Sequence, residues 1–121
     1  MHASFKKFAF LFLGTLFISS CLSPAEKVSG TYHGLYTNNA LVLSNTTATV
    51  TRVDDKTIQV SFSEASISPF TISGIGVSED NANFVLVKVG LIESLSGAVQ
   101  GNQLTISYTY LGGAVTFVGT R

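Results

Sequence analysis

Two stretches of the chain alternate apolar and polar residues without a break: Thr57-Ile58-Gln59-Val60-Ser61-Phe62-Ser63 and Gln103-Leu104-Thr105-Ile106-Ser107-Tyr108-Thr109-Tyr110. A period of two sends successive side chains to opposite faces. In segments rich in β-branched and aromatic residues it specifies half-buried strands. Residues 30–37, 46–53, 70–78, 84–89, 95–100 and 114–120 fit the same template less sharply, so eight strands are expected from Gly30 onward. No stretch shows convincing helical periodicity. The fold must therefore cover one face of eight short strands with other strands.

Turn residues indicate which faces come together. If Gly101-Asn102 forms a two-residue hairpin turn, Val99 opposes Leu104 and Gly97 opposes Ile106. If Gly112-Gly113 does the same, Tyr110 opposes Val115 and Tyr108 opposes Phe117. Both turns predict one inner face, containing Leu95, Val99, Leu104, Ile106, Tyr108, Tyr110, Val115 and Phe117. Brief connections imply antiparallel neighbours. Closure into an eight-stranded up-and-down β-barrel removes the exposed edges that an open meander would leave, and a β-sandwich is the alternative. An eight-stranded barrel has an interior that side chains just fill, or that holds one small ligand. Tyr32, Tyr36, Phe62, Phe70, Tyr108, Tyr110 and Phe117 are available to fill it, which predicts a mostly filled barrel with a shallow pocket at best.

Gly30-Thr31-Tyr32 at the start of the first strand and Phe117-Val118-Gly119-Thr120-Arg121 at the end of the last resemble the calycin superfamily. There a Gly-x-Trp motif opens the barrel and a basic residue from the final strand lies across the tryptophan. Tyr32 stands here in place of that tryptophan. The chain is more similar to the calycin-like (lipocalin-like) barrel domains of small Bacteroides-type envelope lipoproteins. The residues concerned are Gly30 to Gly34 for Gly-x-Tyr-x-Gly, Leu95 to Asn102 for Leu-x-Gly-x-Val-x-Gly-Asn, and the terminal Phe-x-Gly-x-Arg. The resemblance implies that Arg121 closes the barrel over the face of Tyr32, a cation–π contact of about 0.5–2 kcal/mol.

The first twenty residues are of another kind. His2, Lys6 and Lys7 precede an apolar run from Phe8 to Ile18, too short to span a bilayer comfortably, and small residues follow it. This is the pattern of a secretory signal peptide. Ile18-Ser19-Ser20-Cys21 resembles a bacterial lipobox, which implies cleavage before Cys21 and attachment of diacylglycerol and a further acyl chain such as palmitate. Several acyl chains anchor stably where one binds marginally. The resulting organisation is a leader over 1–20, a lipidated tether over 21–29 containing Pro24, and a barrel domain over 30–121. By the sorting rule of enterobacteria, Leu22 after the cysteine favours the outer membrane. The stretch from Leu22 to Glu26 lacks a strong acidic run, so periplasmic and surface-exposed leaflets both stay open.

Charge narrows the functional classes. The whole chain is 45% hydrophobic and 12% charged, and the part after the leader is mildly acidic. Nothing resembles the basic stripe that nucleic-acid binding requires. His33 is the one histidine beyond the leader, and alternation with inward Tyr32 and Tyr36 turns it to solvent, so neither a metal site nor a nucleophilic pair is expected. Asp54-Asp55 and Glu79-Asp80 lie beside turns, where short acidic side chains serve local backbone hydrogen bonds. The expectation is a protein without catalysis and without a cofactor.

Binding through loops is the remaining class. Strand parity gathers the connections at 38–45, 64–69, 90–94 and 112–113 at one end of the barrel. Those at 54–56, 79–83 and 101–102 lie at the other, with the tether and the Tyr32–Arg121 closure. The first set carries apolar residues, so Leu41, Val42, Leu43, Leu91 and Ile92 are the candidate contact residues of a binding mouth. The expected function is an envelope lipoprotein acting as an interaction module towards a protein partner, with carriage of a small apolar ligand as the alternative. Val85, Val87 and Val89 alternate with Phe84, Leu86 and Lys88, so whichever set faces inward, apolar residues stay on the outer wall, where Ile75, Val77 and Val118 are expected to add to them.

Overall fold

The computed structural model describes residues 22–121; the leader and Cys21 lie outside them. A short helix α1 (Pro24–Val28) precedes eight strands: β1 (Gly30–Asn38), β2 (Leu41–Asp54), β3 (Thr57–Glu64), β4 (Ile67–Asp80), β5 (Asn83–Val89), β6 (Glu93–Gln100), β7 (Gln103–Tyr110) and β8 (Gly113–Thr120). Each strand pairs antiparallel with the next, and β8 pairs back onto β1. The result is a closed eight-stranded up-and-down barrel rather than a sandwich. No edge is left unpaired, which is the advantage that closure offers short strands of this kind.

The inner face holds Tyr32, Tyr36, Phe62, Ile72, Leu86, Leu95, Leu104, Ile106 and Phe117 at no more than 3% exposure. Phe62 lies at the centre, its ring centroid 5.2 Å from that of Tyr36 and 5.4 Å from that of Phe117. These spacings are those of packed, tilted aromatic pairs, so rings occupy the lumen. Outward rows are small or polar: Ser94, Ser96, Ala98 and Gln100 on β6, then Gln103, Thr105, Ser107 and Thr109 on β7. Val85, Val87 and Val118 interrupt this wall at 39%, 44% and 42% exposure.

Bulges explain where the strands differ from the alternation rule. Ile75 and Val77, expected on the outer wall, are buried at 0% and 5%. Ile58 and Val60 of β3 face Ile75 and Ile72 of β4, so three steps on one strand match two on the other. Gly74 takes up the extra residue at φ +71°, a backbone conformation that glycine adopts without steric cost, and inward parity passes from even to odd numbers. Leu41 to Leu43, expected in a loop, belong to β2. Gly34 and Tyr36 pair with Thr46 and Leu43, so the extra residue sits near Ser44-Asn45 and masks the alternation on either side. The buried Thr46 hydroxyl donates to the Leu43 carbonyl at this bulge, at 3.4 Å. A third irregularity, between the Phe62–Phe70 and Glu64–Ile67 pairs, accommodates Pro69, which has no N–H for a ladder.

The last hairpin turns at Leu111-Gly112 instead of Gly112-Gly113. Tyr108 therefore faces Val115 and Ile106 faces Phe117, a register two residues from the expected one. A shift of two preserves side-chain parity, so the inner face survives the error. The segment expected as a plain tether contains α1. Ser23 caps it, accepting from the Glu26 N–H while the Glu26 carboxylate accepts from the Ser23 N–H, and Pro24 occupies the first turn. This reciprocal box stabilises a helix too short to show periodicity. Ala25 and Val28 are fully buried, and the Ala25 N–H donates to the Asp55 carbonyl at 3.1 Å, so α1 plugs the barrel end that holds the turns at 55–56, 81–82 and 101–102.

Candidate functional site

The two barrel ends are built differently. At the plug end the Arg121 guanidinium carbon stands 5.2 Å from the centroid of the Tyr32 ring. The same guanidinium donates to the carbonyls of Lys27 and Ser29 at 3.0 and 3.1 Å, and the Tyr32 hydroxyl donates to the Val28 carbonyl at 2.7 Å. Burial raises the Tyr32 phenol above its ordinary range, while the adjacent Arg121 pulls it the other way. Tyr32 and Arg121 thus hold α1 in place. Lys27 pairs with Glu79 across the same end at 3.5 Å. The site is structural in chemistry: a guanidinium meets carbonyls and a ring, and an ammonium meets a carboxylate.

At the opposite end, the mouth, the chain reverses at Asn39-Ala40, Ala65-Ser66, residues 90–92 and Leu111-Gly112. Asn39 adopts φ 54°, donates through its N–H to the Ala114 carbonyl and accepts from the Ala114 N–H with its side chain, at 3.1 and 3.2 Å. This fastens the β1–β2 hairpin to the start of β8. Below it, the Tyr110 hydroxyl donates to Asn38 Oδ1 at 3.2 Å, and Asn38 Nδ2 donates to the Tyr36 hydroxyl at 3.1 Å. Tyr110 stacks on Tyr108 at 5.6 Å and both lie about 6 Å from Phe70, so a ladder of rings rises from the core to the rim.

A polar cluster flanks that ladder. The Tyr108 hydroxyl donates to Glu93 Oε1 at 2.7 Å, and Lys88 Nζ lies 3.1 Å from the same oxygen. The Tyr108 hydroxyl and the Lys88 ammonium hold the Glu93 carboxyl below its usual range. Burial, reinforced by the hydrogen bond to Glu93, pushes the Tyr108 phenol up to about 12. Each group stabilises the other's charge state: an ionised acceptor beside a protonated donor.

The rim itself is apolar. Leu91 is fully exposed at 106%, with Val89 at 86%, Leu111 at 80% and Ile92 at 68%. Leu91, Ile92, Glu93, Tyr110 and Leu111 line an open depression of about 350 Å³ beside the β5–β6 connection. Of the mouth residues read from sequence, Leu91 and Ile92 border this depression. Leu41 and Val42 are exposed on β2, on the neighbouring side of the rim, and do not line it; Leu43 packs against the core instead. Leu111 joins the rim because the last turn falls one residue earlier than the Gly112-Gly113 pair predicts, and Val89 stands beside it at the end of β5. The run Val89-Gly90-Leu91-Ile92 carries the signal that could have found the rim, since it has a glycine break and no polar residue. His33 is exposed with Nδ1 3.3 Å from the Thr47 hydroxyl, and among the described residues no group of three His, Cys, Asp or Glu could hold a metal ion.

No protein-family model matches the chain, and no curated protein does. Among solved structures, the chain is similar to a crystal structure described as a "putative outer membrane protein" from Bacteroides fragilis, with a TM-score of 0.59 and 16% identity. The likeness covers 83% of this chain and 53% of that one, so this chain spans about half the length of its structural neighbour. At this identity the likeness concerns the fold.

Proposed function

We propose that the protein is a lipid-anchored component of a bacterial cell envelope, held in the outer membrane through Cys21, that works without catalysis as an interaction module. The observation that carries this reading is the apolar rim of the mouth. Leu91, Ile92, Leu111 and Val89 stand in water at the end of the barrel away from the plug, next to a depression large enough for a partner's side chains. Exposing apolar residues together at loop tips is unfavourable unless something covers them, and loops on a rigid scaffold are the usual place for recognition.

Supporting features come from the rest of the molecule. The lipobox-like run ending at Cys21 accounts for a lone cysteine behind an apolar leader. The fold likeness to the Bacteroides fragilis protein agrees with an envelope setting. No helix among the described residues is long and apolar enough to cross a membrane. The strands point aromatic and aliphatic residues inward and serine and threonine outward, the reverse of a barrel that spans lipid, so the anchor is the membrane attachment in this reading. The ring-filled lumen weighs against carriage of an apolar ligand inside the barrel. A photo-crosslinking residue placed at Leu91 or Leu111 in the native host should give a discrete adduct, and one at Val53, exposed at the plug end, should not. Equal adducts from both ends, or none from the rim, would contradict the assignment.

A further inference from the structure

Between Cys21 and the first fixed residue of the fold there is almost no chain. Ser23 already caps α1, its backbone and hydroxyl engaged with Glu26, while Ala25 and Val28 are fully buried and Arg121 grips the carbonyls of Lys27 and Ser29. Only Leu22 separates the cap from the cysteine. Fully extended, two residues reach roughly 7 Å. The barrel itself is longer: strands of eight residues, tilted as eight-stranded barrels require, rise roughly 20 Å from plug to mouth.

We infer that the plug end is a lipid-facing surface, seated on the headgroups of the membrane that holds the anchor; this rests on the reading of Cys21 as the lipidated residue. A tether a third the length of the barrel cannot bring the mouth round to the bilayer. The chemistry of the two ends agrees with that geometry. The plug end carries both signs of charge in exposed pairs, Lys27 with Glu79 and Arg52 with Asp55, suited to a zwitterionic headgroup layer. Leu22, 42% exposed, lies next to the acylated position and enters the interface with it. The mouth is thereby held at a fixed height of roughly 20–30 Å above the lipid, so its partner must itself lie close to the membrane.

The test uses acylated protein purified from the native host and reconstituted in phosphatidylethanolamine vesicles with a headgroup-linked quencher. A fluorophore is attached at Asn102→Cys, in the plug-end turn, or at Ala65→Cys, in a mouth turn; the Cys21 sulfur is already consumed by its thioether. Quenching at position 102 should exceed that at position 65 several-fold. Inserting about ten Gly/Ser residues between Leu22 and Ser23, a coil of roughly 17 Å, should abolish most of the difference. Equal quenching at the two positions, as for a barrel lying on its side, overturns the inference. A difference that survives the insertion supports it through the plug-end surface itself, which then seeks the headgroups without the short tether. Intact mass separates the premises: a protein without acyl mass removes the anchor and the inference together, whereas acylated protein with equal quenching overturns the orientation alone.

Discussion

Replacing Gly34 by alanine tests how the barrel closes. Gly34 pairs with Gly119 where β1 meets β8, the seam that converts a meander into a barrel. A Cβ added at Gly34 would stand 2.1 Å from the Val118 carbonyl oxygen and 2.4 Å from the Gly119 Cα. Both are backbone atoms, so no rotamer change relieves the clash and the seam must part by about an ångström. Overpacking of this kind costs about 1–3 kcal/mol, and the upper figure applies where the obstacle is backbone on a paired strand. Stiffening the unfolded chain offsets about 0.4–1 kcal/mol, leaving a net loss of roughly 2–2.6 kcal/mol. At about 4–8 °C per kcal/mol for a domain of this size, the melting temperature should fall by roughly 10–20 °C. Gly76 is the internal comparison, because its added Cβ would meet only the Val87 carbonyl oxygen, at an ordinary 3.4 Å. Gly76→Ala should leave the melting temperature unchanged or raise it slightly. Far-UV circular dichroism melts of both variants decide the matter; a Gly34→Ala loss below about 3 °C, or equal losses in the two, would refute the close approach at the seam.

Arg121→Ala should lower stability by about 1 kcal/mol, a figure set by an exposed cation–π contact, and should speed trypsin cleavage after Lys27 as α1 loosens; urea midpoints and a digestion time course report the two effects. Phe62→Ala removes the ring at the centre of the aromatic cluster and should cost about 3–5 kcal/mol in urea unfolding, provided that the lumen does not collapse. The Glu93–Tyr108 pair predicts a pH window. Glu93, held low, stabilises the fold above its unfolded value and stops doing so as pH falls through its lower folded value. Tyr108, raised to about 12, contributes below its unfolded value near 10 and loses that contribution as pH rises through about 12. Glu93→Gln should therefore flatten the acid limb of urea midpoint against pH and shift tyrosinate absorbance to lower pH.

The fold was legible wherever alternation ran unbroken. β3 and β7 carry clean period-two patterns, and the Gly101-Asn102 turn sets β6 in register with β7: Val99 does face Leu104, and Gly97 does face Ile106. Alternation failed at bulges, because one inserted residue reverses the parity of everything beyond it. Gly74 is the clearest case. A reader who carries the even-numbered inward set of Phe70 and Ile72 past it places Ile75 and Val77 outside, whereas the positive φ at that glycine turns both inward. The helix α1 was illegible to periodicity for a different reason. Five residues cannot show a period of 3.6, although Ser23-Pro24-Ala25-Glu26 spells out its cap.

The site was legible by end and not by residue. Parity assigns each connection to one end of a meander however long the strands are, so Leu91 and Ile92 fall at the end of the barrel opposite the plug. Which side chains share a surface depends on the turn, and moving the last turn back by one residue is what brings Leu111 to the tip beside them. The Lys88–Glu93–Tyr108 cluster could not be read at all, because its members lie on three strands whose inner face otherwise reads as core. Lys88 follows Leu86 on the inward side of β5, a position where an isolated ammonium would be costly. It is tolerated there because Glu93 and the Ser73 carbonyl both accept from it near the rim. A lysine in an inward register therefore marks where the core stops being dry, and in this chain that level coincides with the base of the apolar rim.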